Sequence, residues 1–287
     1  MIAEINTYLD KLDSNGVPFH EIKRRLVSSV KKSFDENIPK VTIFTVAKNA
    51  ETTISKTISA VRSQTYSNIE YIVIDGLSDD DTCAIIKQNQ DCISYWNSQA
   101  DSGVADATNL ALSLATGKFI FWLSADDWVD PEFIEHGVDC LLKNGASFVY
   151  GDLKLMKNGV EQETIFADQD YAVKMGFRMT IATPSVILKT SLFQQYGLLD
   201  SQYRVANDYE LFLRFLKLGV VGVYCPKLIV YHAFGGLSTI YDFRAFREVR
   251  FAAISHGLDP TVAWMYYFFC VFKRGLKRLV NLNFEFR

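Results

Sequence analysis

Among its five cysteines the chain has no C-x-x-C pair, and no apolar run approaches the ~20 residues of a membrane-spanning helix. Cysteines odd in number and without paired spacing argue against a disulfide framework or a zinc site, and point to reduced thiols in a cytosolic setting. Basic charge is not in excess either: Lys+Arg number 30 and Asp+Glu 33, a net charge of -3. A nucleic-acid partner, which needs a basic field, is therefore not expected. The opening "MIAEINTYLDKLDSNG" places acids early and lacks an apolar core, so no secretory signal is expected. Nor does a G-x-G-x-x-G follow the first strand-like run, which excludes a Rossmann dehydrogenase. The loop there reads "AKNAE", without the glycines and basic residues that a nucleotidyltransferase would use to hold a triphosphate. Internal repeats and low-complexity tracts are absent.

What is present is a rhythm. With 287 residues, 49% hydrophobic and 22% charged, the chain can bury a sizeable core in one large or two modest domains. Residues 1–38 suggest two short helices, with Leu9, Leu12, Ile22, Leu26 and Val30 at near-helical spacing and a break at "DSNG" and Pro18. This extension suits oligomerisation, as in a homo-oligomer, or partner docking. After Pro39, strands are predicted at 41–47, 69–75, 92–97 and 118–124, and helices at 51–64, 81–90, 105–117 (stopped by Gly117) and 131–145 (opened by Pro131). Such alternation means βαβ units, an α/β fold with a mostly parallel central sheet and helices on both faces. Beyond about residue 150 the rhythm loosens. "FVYGD" ends a strand, 207–219 is a helix with Asn207 as N-cap and Glu210 in a capping box, and 220–236 reads as two further strands. The divisions expected are 1–38, a catalytic domain over 39–240 (split near 152), and a helical segment over 241–287.

Ligands of parallel sheets sit beyond the carboxyl ends of the strands. Those ends deliver Asn49, Asp75 and the pair Asp126–Asp127 to one rim. Two adjacent carboxylates after "FIFWLS" can share a ligand only if the strand stops and the chain turns there. A hard cation such as Mg²⁺ or Mn²⁺, using few protein oxygens and completed by phosphate, would explain them; so would capping of the next helix. Asp75, closing a buried strand, wants a donor such as a nucleobase N–H. Asp106 and Asn109, three apart on one helix face, point along the rim, while Asp101 is also explained by capping. Asp208 is either a general base or an acid offsetting a helix dipole. His232, beside aromatics and before Gly235–Gly236, is a core histidine or a ligand.

Taken in order, "TIFTVAKNAETTISKTISAVRSQTYSNIEYIVIDGLSDDDT", "DSGVADATNLALSLATGKFIFWLSADDW", "VYGD", "NDYELFLRF" and "GGLS" resemble the inverting glycosyltransferases of family 2, GT-A fold enzymes of bacterial surface-polysaccharide assembly. The resemblance runs from about Val41 to Ser238. It implies a nucleotide-sugar donor, with UDP as its nucleotide, and a saccharide or lipid-linked saccharide acceptor. Val46 and Asp75 would then hold the base, and Asp101, Asp106 and Asn109 the ribose and donor side. Asp126 would contact the ribose or sugar, Asp127 the Mn²⁺ or Mg²⁺, and His232 the metal or diphosphate. Asp208 would be the catalytic base. Ser124 stands where relatives often carry an acid or Asn, and Thr183–Pro184 where they often carry His–Gln. A degenerate member that binds nucleotide-sugar or scaffolds an assembly complex is the alternative. The segment 262–280 joins an aromatic run to Lys273, Arg274, Lys277 and Arg278. It suits an interfacial helix on the inner face of the plasma membrane, or one packed on the domain or a dimer interface.

Overall fold

A computed structural model describes residues 10, 21–24, 38–233 and 242–285, with side chains as far as residue 273. The helices expected over 1–38 and the "GGLS" stretch therefore lie outside the described residues, apart from the turn at 21–24, whose Ile22 packs on the core.

Strands β1 (Val41–Ala47), β2 (Ile69–Asp75) and β4 (Phe119–Trp122) form within the expected runs, while β3 (Tyr95–Ser98) begins three residues later than expected because Gln90–Cys92 forms a 3-10 turn. They lie parallel in the order β3-β2-β1-β4. Helices α1 (Ile54–Arg62), α2 (Thr82–Gln88), α3 (Val104–Leu114) and α4 (Phe133–Asn144) make the intervening connections. Alternate side chains of each strand enter opposite cores. Val41, Ile43, Tyr71, Val73, Phe119 and Phe121 pack with α1 and α4 on one face. Phe44, Ile72, Ile74 and Ile120 meet α3 on the other.

The sheet then continues with mixed pairing. Strand β5 (Asp127–Val129) is followed by β6 (Phe148–Lys157), β7 (Val160–Ile165), β8 (Ile187–Lys189) and β9 (Gly222–Ala233). The full order is β3-β2-β1-β4-β8-β6-β9-β5, with β7 on β6. Strand β8 is antiparallel to β4 and β6, and β5 is antiparallel to β9. The two strands expected over 220–236 are one: β9 runs through Pro226, and the register shift opposite Gly151 absorbs the missing ladder donor. Short helices α5 (Tyr171–Lys174) and α6 (Ser191–Tyr196) precede α7 (Asn207–Lys217), α8 (Asp242–Ser255) and α9 (Pro260–Glu285). No helix among the described residues is long and apolar enough to cross a membrane.

Glycines mark where backbones touch. Helix α3 ends at Leu114 rather than at Gly117, which instead lets the chain pass Thr42: a Cβ there would lie 2.5 Å from the Thr42 nitrogen. At Gly151 a Cβ would fall 2.0 Å from the Leu228 carbonyl oxygen, a backbone atom that cannot swing away. Gly151→Ala should therefore cost about 1–3 kcal/mol through overpacking, read as a lowered urea midpoint with unchanged slope; a wild-type midpoint would contradict the close approach.

Candidate active site

The strand does stop where the two carboxylates begin. After Trp122 the Leu123 N–H still donates to the Phe44 carbonyl (3.0 Å), then the Asp127 N–H donates to the Ser124 carbonyl (3.1 Å) and closes a turn. The chain re-enters the sheet as β5, its register placing Asp127 opposite His232. Asp127 Oδ1 lies 2.5 Å from His232 Nδ1. Thr57, on α1, fixes the backbone from the other side by donating to the Asp127 carbonyl at 2.8 Å. Asp126 joins them: one ligating atom from each of Asp126, Asp127 and His232 falls within 4.8 Å of the others.

Asp127 is 0% exposed, yet its Oδ2 has no hydrogen-bond partner. Burial pushes its carboxyl up to about 6, and the hydrogen bond to His232 offsets only part of that. The same bond raises the His232 imidazole. A buried oxygen with nothing to accept from is a costly arrangement unless positive charge arrives. Two carboxylates and an imidazole around it fit a divalent cation. The histidine comes from β9, so the group is completed from a strand distant in sequence from Asp126 and Asp127.

A second group gathers at the ends of β1 and β2. Asp75 is fully buried and accepts from the Ser78 N–H (2.9 Å), the Ser98 hydroxyl (2.6 Å), the Cys83 thiol (3.2 Å) and the Ser78 hydroxyl. Burial works to raise its carboxyl, but the Ser78 and Ser98 bonds outweigh it and hold it below the ordinary value. The donors expected from a nucleobase are thus largely supplied by the chain, with Oδ1 taking only the Ser78 hydroxyl. Asn49, in the left-handed region at φ 51°, ties this loop to its neighbour by accepting from the Asp79 N–H at 3.1 Å. Val46 is half-buried one residue before Ala47, whose carbonyl receives the Gly76 N–H. Asp101 reaches the same place because residue 76 has no side chain: a Cβ would lie 2.6 Å from Asp101 Oδ2.

The α3 pair divides. Asp106, half-buried, accepts from the Ser102 N–H at 3.2 Å and shapes the loop entering the helix. Asn109 is buried and does not line the rim as expected. Its amide donates to the Leu199 carbonyl and accepts from the Leu199 N–H, both at 2.9 Å, and so clamps α3 to the segment before α7.

Asp208 arrives through the antiparallel half. Because Phe121 pairs with Ile187, the chain entering β8 lies at the end where β4 finishes. Thr183, four residues earlier, donates to Asp208 Oδ2 at 2.8 Å. Asp208 Oδ1 accepts from the Tyr209 N–H. Burial raises the carboxyl above its usual value, and the Thr183 bond opposes the rise. The helix start differs from the capping box read in the sequence. The N-cap is Ala206 and makes no side-chain cap, while Glu210 pairs with Arg214 and His256. The cap comes instead from Glu248 on α8, which accepts from the Val205 and Ala206 N–H groups (2.8 and 3.0 Å). Thr57 and Glu248 were not singled out by sequence as parts of the site, and Thr183 entered there only as a departure from the His–Gln of relatives.

The chain also resembles known proteins. The family described as "Glycosyl transferase family 2" matches residues 42–173. The chain is 32% identical over 180 residues, covering 62% of itself and 70% of the relative, to the Escherichia coli UDP-Glc:alpha-D-GlcNAc-diphosphoundecaprenol beta-1,3-glucosyltransferase WfgD. Among solved structures, S. aureus TarS 1–349 in complex with UDP-GlcNAc superposes with a TM-score of 0.61 at 14% identity, over 79% of this chain and 70% of that one. The mannosyltransferase PcManGT from Pyrobaculum calidifontis, in complex with GDP-Man and Mn2+, gives 0.59 at 16% identity over 93% and 81%. These likenesses show the fold, the GT-A arrangement.

The unpartnered Asp127 oxygen makes metal uptake measurable without turnover. Mn²⁺ at about 100 times its Kd should stabilise the folded chain by about 2.7 kcal/mol, seen as a rise in Tm. The isosteric Asp127→Asn variant should lose that rise, and an equal rise in both proteins would remove Asp127 from the metal site.

Proposed function

The chain belongs to glycosyl transferase family 2, and from that premise we propose that it transfers a sugar, with inversion, from a UDP-sugar to a hydroxyl of a lipid-linked saccharide in cell-surface polysaccharide assembly. The observation that carries this reading is the placing of two different carboxylate functions on one rim. One is a cation cluster with an unsatisfied buried oxygen, and the other a raised-pKa aspartate held by Thr183. The donor class is supported by the relatives: WfgD is named for UDP-Glc, and TarS was solved with UDP-GlcNAc.

Asp208 takes the proton of the acceptor hydroxyl as its oxygen attacks the anomeric carbon from the face opposite the diphosphate. The bond from that carbon to the phosphate oxygen breaks, the nucleoside diphosphate leaves, and the proton remains on the Asp208 carboxyl. Each Asp208 oxygen accepts one hydrogen bond within the chain and keeps a lone pair for that proton. Asp126, Asp127 and His232 would hold the metal, which when bound neutralises charge on the departing diphosphate. An imidazole in the set favours Mn²⁺ over Mg²⁺, which prefers all-oxygen ligands, and PcManGT was solved with Mn2+. Val46, Asn49, Asp75 and Asp101 would form the base and ribose end, with Asp106 at the entrance to α3. The reaction takes place at the inner surface of the membrane, where a lipid-linked acceptor resides.

Asp208→Asn should lose about 10²–10⁴-fold in kcat while UDP affinity, read by calorimetry, stays at the wild-type value; wild-type turnover in this variant would exclude Asp208 as the base. A base must be deprotonated, so activity falls as pH drops through its raised pKa. Removing the Thr183 hydroxyl withdraws a bond that favours the carboxylate. Thr183→Val should therefore move the acid limb of kcat/KM to higher pH, and an unmoved or lowered limb would show that Asp208 does not set it.

A further inference from the structure

Helices α8 and α9, with the turn that follows α5, enclose a cavity of about 280 Å³. Its lining is almost wholly apolar, with Met179 from the turn, Val249 and Ala253 from α8, and Tyr266 and Tyr267 from α9. Two arginines interrupt that lining. Arg250 lies over the rings of Trp264 and Tyr267, at 3.6 and 4.7 Å, and forms no ion pair among the described residues. Arg178 has Asp168 as a distant neighbour at 3.9 Å, but that carboxylate is already engaged by Lys174 at 2.6 Å. Both guanidinium groups can therefore take an anionic ligand.

The cavity wall leads to the proposed base along the chain. The turn at 176–179 lies four residues before Thr183, which holds Asp208. The hydroxyl of Tyr209, the residue after Asp208, is buried without a hydrogen-bond partner. Outside the cavity, α9 continues the apolar surface: Met265, Phe268, Phe269 and Phe272 are 58–69% exposed.

We propose that this cavity holds the first isoprene units of a polyprenyl diphosphate-linked acceptor, with Arg178 and Arg250 on its diphosphate. An apolar chain alone gives no reason for two arginines in the wall, one only loosely paired with Asp168 and the other stacked on rings without a carboxylate partner among the described residues, and a phosphate alone gives none for the apolar space beside them. An amphiphile joining the two satisfies both, through charge-assisted bonds at one end and burial at the other. The cavity lies at the bottom of the range of ~300–1,000 Å³ usual for small-molecule sites, so it takes the start of a long chain. The exposed aromatic face of α9 leads the remainder to the bilayer. A sugar attached beyond the diphosphate would then be presented toward Asp208. The identity of the acceptor rests on the glycosyltransferase reading; the binding of an isoprenoid diphosphate does not.

Farnesyl diphosphate is the probe, titrated onto the full chain by calorimetry in EDTA so that no cation bridges it to Asp127. It should bind at least about tenfold more tightly than farnesol or inorganic diphosphate. Arg178→Gln with Arg250→Gln should weaken it by about tenfold or more, and Ala253→Met, which fills the space, should do likewise. Thermal melts accompany each variant; if Ala253→Met lowers the melt, the arginine substitutions, at one exposed and one half-buried position, decide. Equal affinity for farnesol would reduce the cavity to an apolar sink, and equal affinity for inorganic diphosphate to an anion site. Either result, or wild-type affinity in the arginine variant, overturns the proposal. UDP binding is measured on the same proteins with Mn²⁺ in place of EDTA. If UDP fails to bind while farnesyl diphosphate binds through these residues, the lipid site stands and the donor assignment falls.

Discussion

A carboxylate with no exposure and one unpartnered oxygen is the constraint around which this rim is built. Taking an ionised carboxylate out of water costs several kcal/mol even after relaxation, and Asp127 recovers only part of that from His232. The rest of the local architecture makes sense as what brings and keeps it there. Strand β4 must stop, Ser124 must close a turn, and β5 must pair antiparallel with β9 so that residue 127 faces residue 232. Thr57 reaches across from α1 to hold the backbone carbonyl, which prevents Asp127 from turning out into solvent. The strand next to the sheet's edge thus supplies the third group of the cluster.

Linking the two halves of the chain is a handful of polar contacts. Asn109 exchanges two hydrogen bonds with Leu199, and Glu248 receives the free N–H groups ahead of α7. Thr183 connects the entry to β8 with the carboxylate on α7. Asp208 therefore sits in the first turn of a helix whose dipole favours its anionic form, while burial favours the neutral one. The dipole reading and the base reading of this residue are compatible, because a base needs both a carboxylate that can form and a pKa high enough to accept a proton.

Sequence patterns located β1 to β4 closely because each is a short apolar run bounded by turn residues, and the rim followed from where those runs end. Patterns failed where partners are distant. His232 stands 105 positions from Asp127, Asn109 90 from Leu199, and Glu248 42 from Ala206. None of these pairings leaves a local signature. The capping-box reading is instructive: Asn207 and Glu210 have the spacing, but Glu210 gains more from Arg214 and His256, and an acid on another helix takes over the cap. Pro226 misled in the same way. It announces a strand break locally, and a register shift against Gly151 lets β9 continue.

Asp75 and Asp127 are both fully buried at strand ends of one sheet, yet their carboxyls move in opposite directions. Neither is exposed, but desolvation weighs more heavily on Asp127 than on Asp75. The number of donors acts in the same direction: Asp75 accepts four hydrogen bonds, Asp127 has His232 on one oxygen while its Oδ2 has no partner. Hydrogen bonds to the charged form stabilise it, and desolvation without them does the reverse. Asp75 is therefore a fixed anion that organises its loops, leaving one oxygen with room for a further donor. Asp127 is an anion still missing a partner. Acids on a rim of this kind are told apart by what each oxygen already accepts, and on that count Asp127 is the one with an oxygen left for a cation.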